Sequence, residues 1–274
     1  MALIGEYFPL IIGLIGAGVL AGLLAGLFGV GGGIIMVPAM AMAFGFIGIS
    51  ANIYHHVAVG TSLAVIIASG TSSALAHFRR EAVMLDIVKL WALPIIIASL
   101  LGGLMARYYS GDMLRIIFAV VALFVALNML LSVQERFIGQ LKSSKPTHRI
   151  IAFIVGYISA LMGIGGGSLS VPSLVAFGHN MHKAVGTGAA LGVLIAVPGA
   201  LGFIISGIGV EGRPPLSIGY INIPALILIG VVATLAAPLG AALAHRFDAK
   251  KLKLVFMLFL LLVSAKMIYQ VFFG

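Results

Sequence analysis

The feature that most constrains this chain is a glycine-rich stretch of ten residues that occurs twice. GVGGGIIMVP runs from Gly29 to Pro38 and GIGGGSLSVP from Gly163 to Pro172, with six of the ten positions identical. Both copies lie between apolar runs. Each glycine inside a helix costs about 1 kcal/mol relative to alanine, so three adjacent glycines predict that a helix ends at each copy.

The composition indicates the environment, water or membrane, in which these helix breaks occur. The 274 residues are 62% hydrophobic and 8% charged, with a mean hydropathy of +1.22. Several apolar runs approach or exceed the roughly 20 residues that cross a bilayer, which predicts an all-α polytopic membrane protein. Backbone groups freed by a helix break are tolerated in a membrane only inside the protein or along a wet cavity. Paired breaks in two halves are typical of a transporter's substrate site.

The apolar segments number ten, and the second segment of each half is short. They span 9–28, 34–49, 57–78, 87–106 and 115–133, then 150–162, 168–178, 184–207, 220–243 and 254–273. We therefore expect about 8 to 10 transmembrane segments. The N-terminus has no Lys or Arg before its apolar run, which favours a first membrane helix over a cleaved signal peptide.

Two homologous repeats account for this pattern. We predict an N-terminal transmembrane repeat at 1–133, a basic cytoplasmic connector at 134–149 and a C-terminal transmembrane repeat at 150–274. Two further matches support the duplication: HVAVGT, which begins at His56, matches HKAVGT, which begins at His182, and LRIIF at 114–118 matches LKLVF at 252–256.

The distribution of Lys and Arg discriminates between two topologies. If each short segment turns back at the glycines, the repeats are inverted, and the inside and outside connections hold 12 and 3 basic residues. If each short segment continues its predecessor across the membrane, the repeats are parallel and the tally is 8 to 7. Because cytoplasmic loops carry an excess of Lys and Arg, we predict inverted repeats with both termini outside.

Several kinds of chemistry are disfavoured by the residues present. All seven acidic residues lie at segment ends or in connectors, which leaves no intramembrane carboxylate pair for catalysis or cation coupling. There is no cysteine, and the histidines show no metal-ligand spacing. We predict no enzyme, no catalytic residue, no metal site and no cofactor. The net charge of +9 is attributed to cytoplasmic loops and not to nucleic-acid binding.

The apolar segments instead contain hydrogen-bond donors, which suit a small anion. Exposed N–H groups at the start of the helices opening at Ile34 and Ser168 would add a favourable helix dipole. We predict that the substrate contacts the following residues: Gly31, Gly32, Gly33, Gly165, Gly166, Gly167, Ser168, His56, Thr61, His182 and Thr187.

Each of these assignments has a structural alternative. The glycines could serve helix packing, and most of the serines and threonines between Thr61 and Ser73 are expected to bond to their own helix backbone. Pro38 and Pro172 are expected to shape the first turn of their helices. His56 and His182 are either structural or linked to pH. Lys266, placed near the middle of its helix, is expected to face protein or water.

The doubled motif resembles the sulfite exporter TauE/SafE family. The resemblance rests on GLFGVGGGIIMVPAM at Gly26 to Met40 and ALMGIGGGSLSVPSL at Ala160 to Leu174. It implies a multi-pass permease of the bacterial inner membrane that exports small sulfur-containing anions such as sulfite or organosulfonates.

Three functions are weighed on these grounds. The first is alternating access of the two repeats around a central anion site. The second is an anion channel using the same pore, and the third is a membrane enzyme or an accessory subunit of a larger assembly. The expected partners are the small anionic substrate and the lipid bilayer, and a homodimer is allowed.

Overall fold

The computed structural model describes residues 2–28, 31–130, 144–243 and 249–272, and these residues are almost entirely helical. Gly29, most of the connector at 134–149 and Arg246 lie outside the described residues. The described helices match the ten predicted segments and confirm the all-α membrane fold. They are α1 (Ala2–Phe28), α2 (Gly33–Phe46), α3 (Ala51–Phe78), α4 (Leu85–Met105), α5 (Gly111–Leu130), α6 (Lys145–Met162), α7 (Gly167–Ala176), α8 (Met181–Ser206), α9 (Ile223–Leu243) and α10 (Ala249–Phe272). One 3-10 turn (Ala106–Tyr108) follows α4, and the short strands β1 (Ser217–Ile218) and β2 (Ile221–Asn222) pair antiparallel before α9.

A helix ends at each glycine motif, as predicted. In the first half α1 ends at Phe28 and α2 begins at Gly33; in the second half α6 ends at Met162 and α7 begins at Gly167. The prediction for the prolines was wrong, because Pro38 and Pro172 each occupy the sixth position of their helix and not the first turn. A proline there removes one helical hydrogen bond, so the carbonyl group four residues earlier loses its usual donor.

Each short helix turns back alongside the helix before it. A Cβ added to Gly32 would lie 2.9 Å from the carbonyl carbon of Ala21, which places the start of α2 against α1. In the second half the ring of His148, near the start of α6, stacks on Phe177 after the end of α7, with centroids 3.7 Å apart. The start of α6 and the end of α7 therefore lie side by side, and α6 and α7 form a hairpin, not one continuous crossing.

The helix packing follows a pattern that maps onto itself when the two halves are exchanged. Helix α1 packs on α9 as α6 packs on α4, and α3 packs on α9 as α8 packs on α4. The remaining major pairs, α3 with α8 and α5 with α10, each join equivalent helices of the two halves. Small residues permit the close approach: a Cβ on Gly22 would meet Ala236, and one on Gly156 would meet Ala98. The inversion of the halves across the bilayer stays a prediction.

The connections between helices gather at two opposite ends of the bundle. At one end Ile53 reaches Gly212, and a Cβ on Gly111 would meet Asn52. At the other end the Arg80 guanidinium donates to the carbonyl oxygen of Ala241, and the Trp91 indole donates to His148. The inverted topology assigns the connections at the first of these ends to the outside of the membrane and those at the second end to the inside. We call them the 53/212 end and the 80/241 end.

Four of the described helices are long and apolar enough to cross a membrane. They are Ala51–Phe78, Leu85–Tyr108 with the 3-10 turn included, Met181–Ser206 and Ile223–Leu243. Shorter apolar helices accompany them, among them Gly33–Phe46 and Gly167–Ala176. The protein is therefore a multi-pass helical membrane protein. Its buried centre, around Ile34, Leu63 and Ile195, is the region where the two glycine motifs lie.

Candidate functional site

The two glycine motifs meet at the centre of the bundle. A Cβ added to Gly31 would lie 2.9 Å from the Cα atom of Gly165, and one added to Gly33 would lie 2.9 Å from the Cα atom of Ile164. Distances below 3.0 Å to backbone leave room for a hydrogen atom only. The close approach of the two backbone segments therefore requires glycine at Gly31 and Gly33.

The two motifs share their three adjacent glycines but differ in backbone conformation. Gly31 and Gly32 adopt left-handed φ values of +76° and +75°, whereas Gly166 has a φ of −56°. In the second half the left-handed residue is Gly163, at +67°. Gly163 ends α6 in a Schellman motif, in which the N–H of Gly163 bonds to Ala160 and the N–H of Ile164 to Ser159.

The short helices begin with amide groups that precede the first helical hydrogen bond. In α2 this bond runs from the N–H of Ile35 to the Gly32 carbonyl at 3.0 Å, so the amides of Gly33 and Ile34 come before it. In α7 the N–H of Ser170 bonds to the Gly166 carbonyl at 2.8 Å, as the N–H of Met36 bonds to the Gly32 carbonyl at 3.2 Å in α2. The helices thus start at Gly33 and Gly167, one residue earlier than the sequence predicted. The first amides of a helix favour a negatively charged partner.

Several hydroxyl groups lie in or next to the second motif, and some of them have no hydrogen-bond partner. The side-chain oxygens of Ser168 and Ser170 in α7, and of Ser159 in α6, are buried without a hydrogen bond. Ser62 in α3 donates to the carbonyl oxygen of Gly163 at 2.7 Å. A buried polar group left without a partner costs about 1–3 kcal/mol, so a polar group that reached these three hydroxyls would stabilise them.

The predicted threonines lie next to this region and bind backbone. Thr61 and Thr187 are fully buried, and each side-chain oxygen accepts a hydrogen bond from a main-chain N–H, of Asn222 at 2.9 Å and of Met84 at 3.0 Å. These bonds join the halves of the protein. The prediction that the two threonines also touch substrate stays a prediction.

The two predicted histidines differ in their surroundings. His56 is buried and lies one helical turn from Val59, whose backbone abuts Gly163. Its ring nitrogens face the carbonyl oxygens of Asn52 at 2.8 Å and of Ala106 at 3.0 Å, and its ring stacks on Tyr220. His182 is exposed in the first turn of α8, where its N–H bonds to the Asn180 side chain at 2.9 Å. The structure therefore places His56, but not His182, among buried residues beside the glycine motifs.

Burial also affects the aromatic partner of His56. Tyr220 lies in the connection before α9, where burial raises the pKa of its phenol while the charges of Arg107 and Arg213 act in the opposite direction. The phenol therefore stays neutral at physiological pH. The ring of Tyr220 covers the imidazole at a centroid distance of 4.9 Å.

The expectation that the serines and threonines of α3 bond to their own helix is only partly correct. Ser69 bonds to the carbonyl of Val65, and Thr71 bonds to that of Ile67. Three other hydroxyls reach other helices instead: Ser62 bonds to Gly163, Ser72 to Thr234 and Ser73 to Ala25. Helix α3 is therefore tied to both halves by its hydroxyl groups.

The sequence did not single out a group of basic residues that the structure brings together. Arg115, one of the three basic residues that the inverted topology places outside, is the fifth residue of α5 and is only 5% exposed. Lys266 lies in the last third of α10, not near its middle, and lines the same cavity as Arg115 and His55. The sequence pattern that could have indicated this group is the position of Arg115 in the first turns of an apolar segment.

These features define the class of the protein: a multi-pass helical membrane protein in which a helix ends at each of two glycine motifs that meet at its centre. A sequence model of the family described as sulfite exporter TauE/SafE matches residues 14–267, which is nearly the whole chain. The chain belongs to this family.

Relatives support the same class. A "probable membrane transporter protein" of Haemophilus influenzae is 34% identical over 91% of this chain and 95% of its own length. The "probable membrane transporter protein YunE" of Bacillus subtilis is 26% identical over 94% and 97%. A third, of Methanocaldococcus jannaschii, is 24% identical over 91% and 92%. No solved structure matches the chain.

Proposed function

We propose that this transporter moves small sulfur-containing anions, with sulfite and short organosulfonates as the leading candidates, out of a bacterial cell across its inner membrane. The substrate class follows from the family description, which names sulfite. The physical support is the donor-rich, carboxylate-free environment of the glycine motifs. In this proposal the anion binds beside α7, between the two halves.

The single observation that carries the proposal is the Ser168 hydroxyl. Ser168 is the second residue of α7, is only 4% exposed and has no hydrogen-bond partner. Its hydroxyl therefore lies where the N-terminal amides of α7 favour negative charge. An oxyanion accepts hydrogen bonds from both kinds of donor and would satisfy groups that are otherwise buried without partners.

Transport in this proposal uses alternating access of the two halves. The α1–α2 hairpin contacts the α6–α7 hairpin through glycine backbone, with no side chain interposed at Gly31 and Gly165. A contact without interlocking side chains can shear at low cost, and the substrate site then opens to one face at a time. His56, which lies beside this contact, is the candidate for pH linkage.

The test is transport by the purified full-length protein in proteoliposomes, with labelled sulfite, thiosulfate, a short alkylsulfonate and chloride as separate substrates. We expect selective flux of one or more sulfur anions. Ser168→Ala is expected to lower substrate affinity at least tenfold, since a hydrogen bond to a charged group contributes about 1.5–3 kcal/mol.

The matched control is Ser69→Ala, which removes a buried hydroxyl that bonds only within its own helix. It is expected to transport like the wild type. Equal flux of all the anions, or wild-type affinity in a folded Ser168→Ala protein, contradicts the proposal.

A further inference from the structure

A cavity of about 440 Å³ extends from Pro38, the last residue of the first glycine motif, to the region where α2 ends and α3 begins. It is bounded by the second part of α2, the start of α3, the start of α5 and the last third of α10. This is the 53/212 end of the bundle. Its volume is in the range of pockets that hold organic ligands rather than single inorganic ions.

A buried guanidinium forms the polar wall of this cavity. One Arg115 nitrogen donates to the Asp112 carboxylate at 3.0 Å and another donates to the Tyr54 hydroxyl at 2.6 Å. The Nε atom of Arg115 is buried without a partner. The Asp112 side chain is 53% exposed, so solvent screens its charge, whereas the Arg115 side chain is only 6% exposed and lines the cavity.

Two further groups on this wall lack a strong acceptor. His55 is fully buried, and neither of its ring nitrogens has a hydrogen-bond partner. The ammonium nitrogen of Lys266 contacts the sulfur of Met42 at 3.0 Å, and a thioether is a weak acceptor. The Arg115 and Lys266 side chains therefore bring two positive charges to this cavity, and the buried His55 ring lies against it.

The rest of the lining is apolar. Met42, Phe46, Val263 and Met267 complete the cavity, and Phe46 is 88% exposed although it is a large aromatic residue. An inorganic ion would leave these side chains without a partner. A ligand that satisfies the whole cavity carries one negatively charged group and an apolar body.

We propose that this cavity binds an organic monoanion, with its carboxylate, sulfonate or phosphodiester group on Arg115 and Lys266 and its apolar part against Met42 and Phe46. Arg115 suits this role because a guanidinium binds oxyanions through two parallel hydrogen bonds. The anion is either a soluble organic acid or the head of an anionic lipid, since both have this chemistry. The site does not depend on the transport of small anions at the glycine motifs.

The experiment measures binding to the purified full-length protein in neutral detergent by isothermal titration calorimetry. The probes are benzenesulfonate and dioctanoyl phosphatidylglycerol as the two sources, with sodium sulfate and benzenesulfonamide as probes that lack the apolar body or the charge. We expect saturable binding of at least one of the first two, at least tenfold tighter than sulfate or the sulfonamide. The probe that binds identifies the source.

Variants assign the binding to this cavity. Arg115→Gln and Lys266→Gln are each expected to weaken binding at least tenfold, while Arg149→Gln and Lys145→Gln, which make the same changes at exposed positions of α6, leave it unchanged. Lys266 is exposed, so its variant keeps the test valid should the buried Arg115→Gln protein fail to fold.

Absence of binding by both organic probes, or undiminished binding by folded Lys266→Gln, overturns the proposal. Probe binding that is lost in Ser168→Ala but kept in folded Arg115→Gln and Lys266→Gln would place the probe at the glycine motifs and overturn the proposal.

Discussion

The hydroxyl of Thr61 accepts a hydrogen bond from the backbone N–H of Asn222 at 2.9 Å, one residue before α9 begins. Thr187 makes the equivalent bond in the other half, to the N–H of Met84 at 3.0 Å, one residue before α4 begins. The threonine of each AVGT sequence thus holds the start of a helix in the opposite half. The first amides of a helix have no partner within the helix, so a hydroxyl from elsewhere stabilises them.

Replacing either threonine by valine is expected to destabilise the protein by a similar amount. The change keeps the shape of the side chain but leaves the buried N–H of Asn222 or the partly buried N–H of Met84 without an acceptor, which costs about 1–3 kcal/mol when the group is buried. Thr61→Val and Thr187→Val should each lower the melting temperature of the detergent-solubilised protein. Thr61→Ser and Thr187→Ser, which keep the oxygen, are the controls. A loss confined to one of the two positions would contradict the equivalent roles assigned here.

Adding a methyl group at Gly33 is expected to disrupt the contact between the hairpins. A Cβ there would lie 2.9 Å from the Cα atom of Ile164 and still closer to the Gly163 carbonyl oxygen, and backbone cannot rotate away. Overpacking of this kind costs about 1–3 kcal/mol or more, so Gly33→Ala should lower the melting temperature. Gly16→Ala is the control, because a Cβ at Gly16 has no neighbour within 4 Å. Equal stability of the two variants would argue against the close contact.

The fluorescence of Trp91 is expected to report on the 80/241 end of the bundle. Trp91 is the one tryptophan of the chain, is fully buried, and donates to the Nδ1 atom of His148 at 3.0 Å. Protonation of that nitrogen removes the acceptor, so acidification should change the emission intensity and wavelength reversibly. In His148→Phe the emission should stay constant over the same pH range. A pH response that persists in this variant would assign it to another group.

Single cysteines can test the predicted orientation, because the native chain has none. Tyr108→Cys and Leu216→Cys introduce thiols at positions that are 74% and 75% exposed, in the connections assigned to the outside. Both should react with a membrane-impermeant maleimide in intact cells. Lys145→Cys should react only after the cells are permeabilised. The reverse labelling pattern would show that the orientation is opposite to the predicted one. Labelling of Tyr108→Cys but not of Leu216→Cys would show that the two connections do not lie on the same side of the membrane.

Much of the secondary structure could be predicted from local signals. Apolar runs in a chain of this composition are helices, because hydrocarbon leaves the backbone no other way to satisfy its polar groups within one segment. Three adjacent glycines together cost a helix about 3 kcal/mol relative to alanine, so the breaks before Gly33 and Gly167 were predictable. The position of Pro38 was not, since a proline six residues into a helix is tolerated only where its surroundings satisfy the freed carbonyl.

The sequence by itself determined that this chain is a helical membrane protein in which a helix ends at each of two glycine motifs, because composition and glycine conformation act over a few residues. Only the tertiary structure decided that the two motifs touch, that Thr61 and Thr187 bind the start of helices in the opposite half, and that Arg115 and Lys266 share a cavity with His55. These relationships join residues more than 50 positions apart in sequence. Contacts of this kind depend on which helices pack together. Local sequence does not decide that, because the packing of two helices depends on the fit of many small side chains along their whole interface.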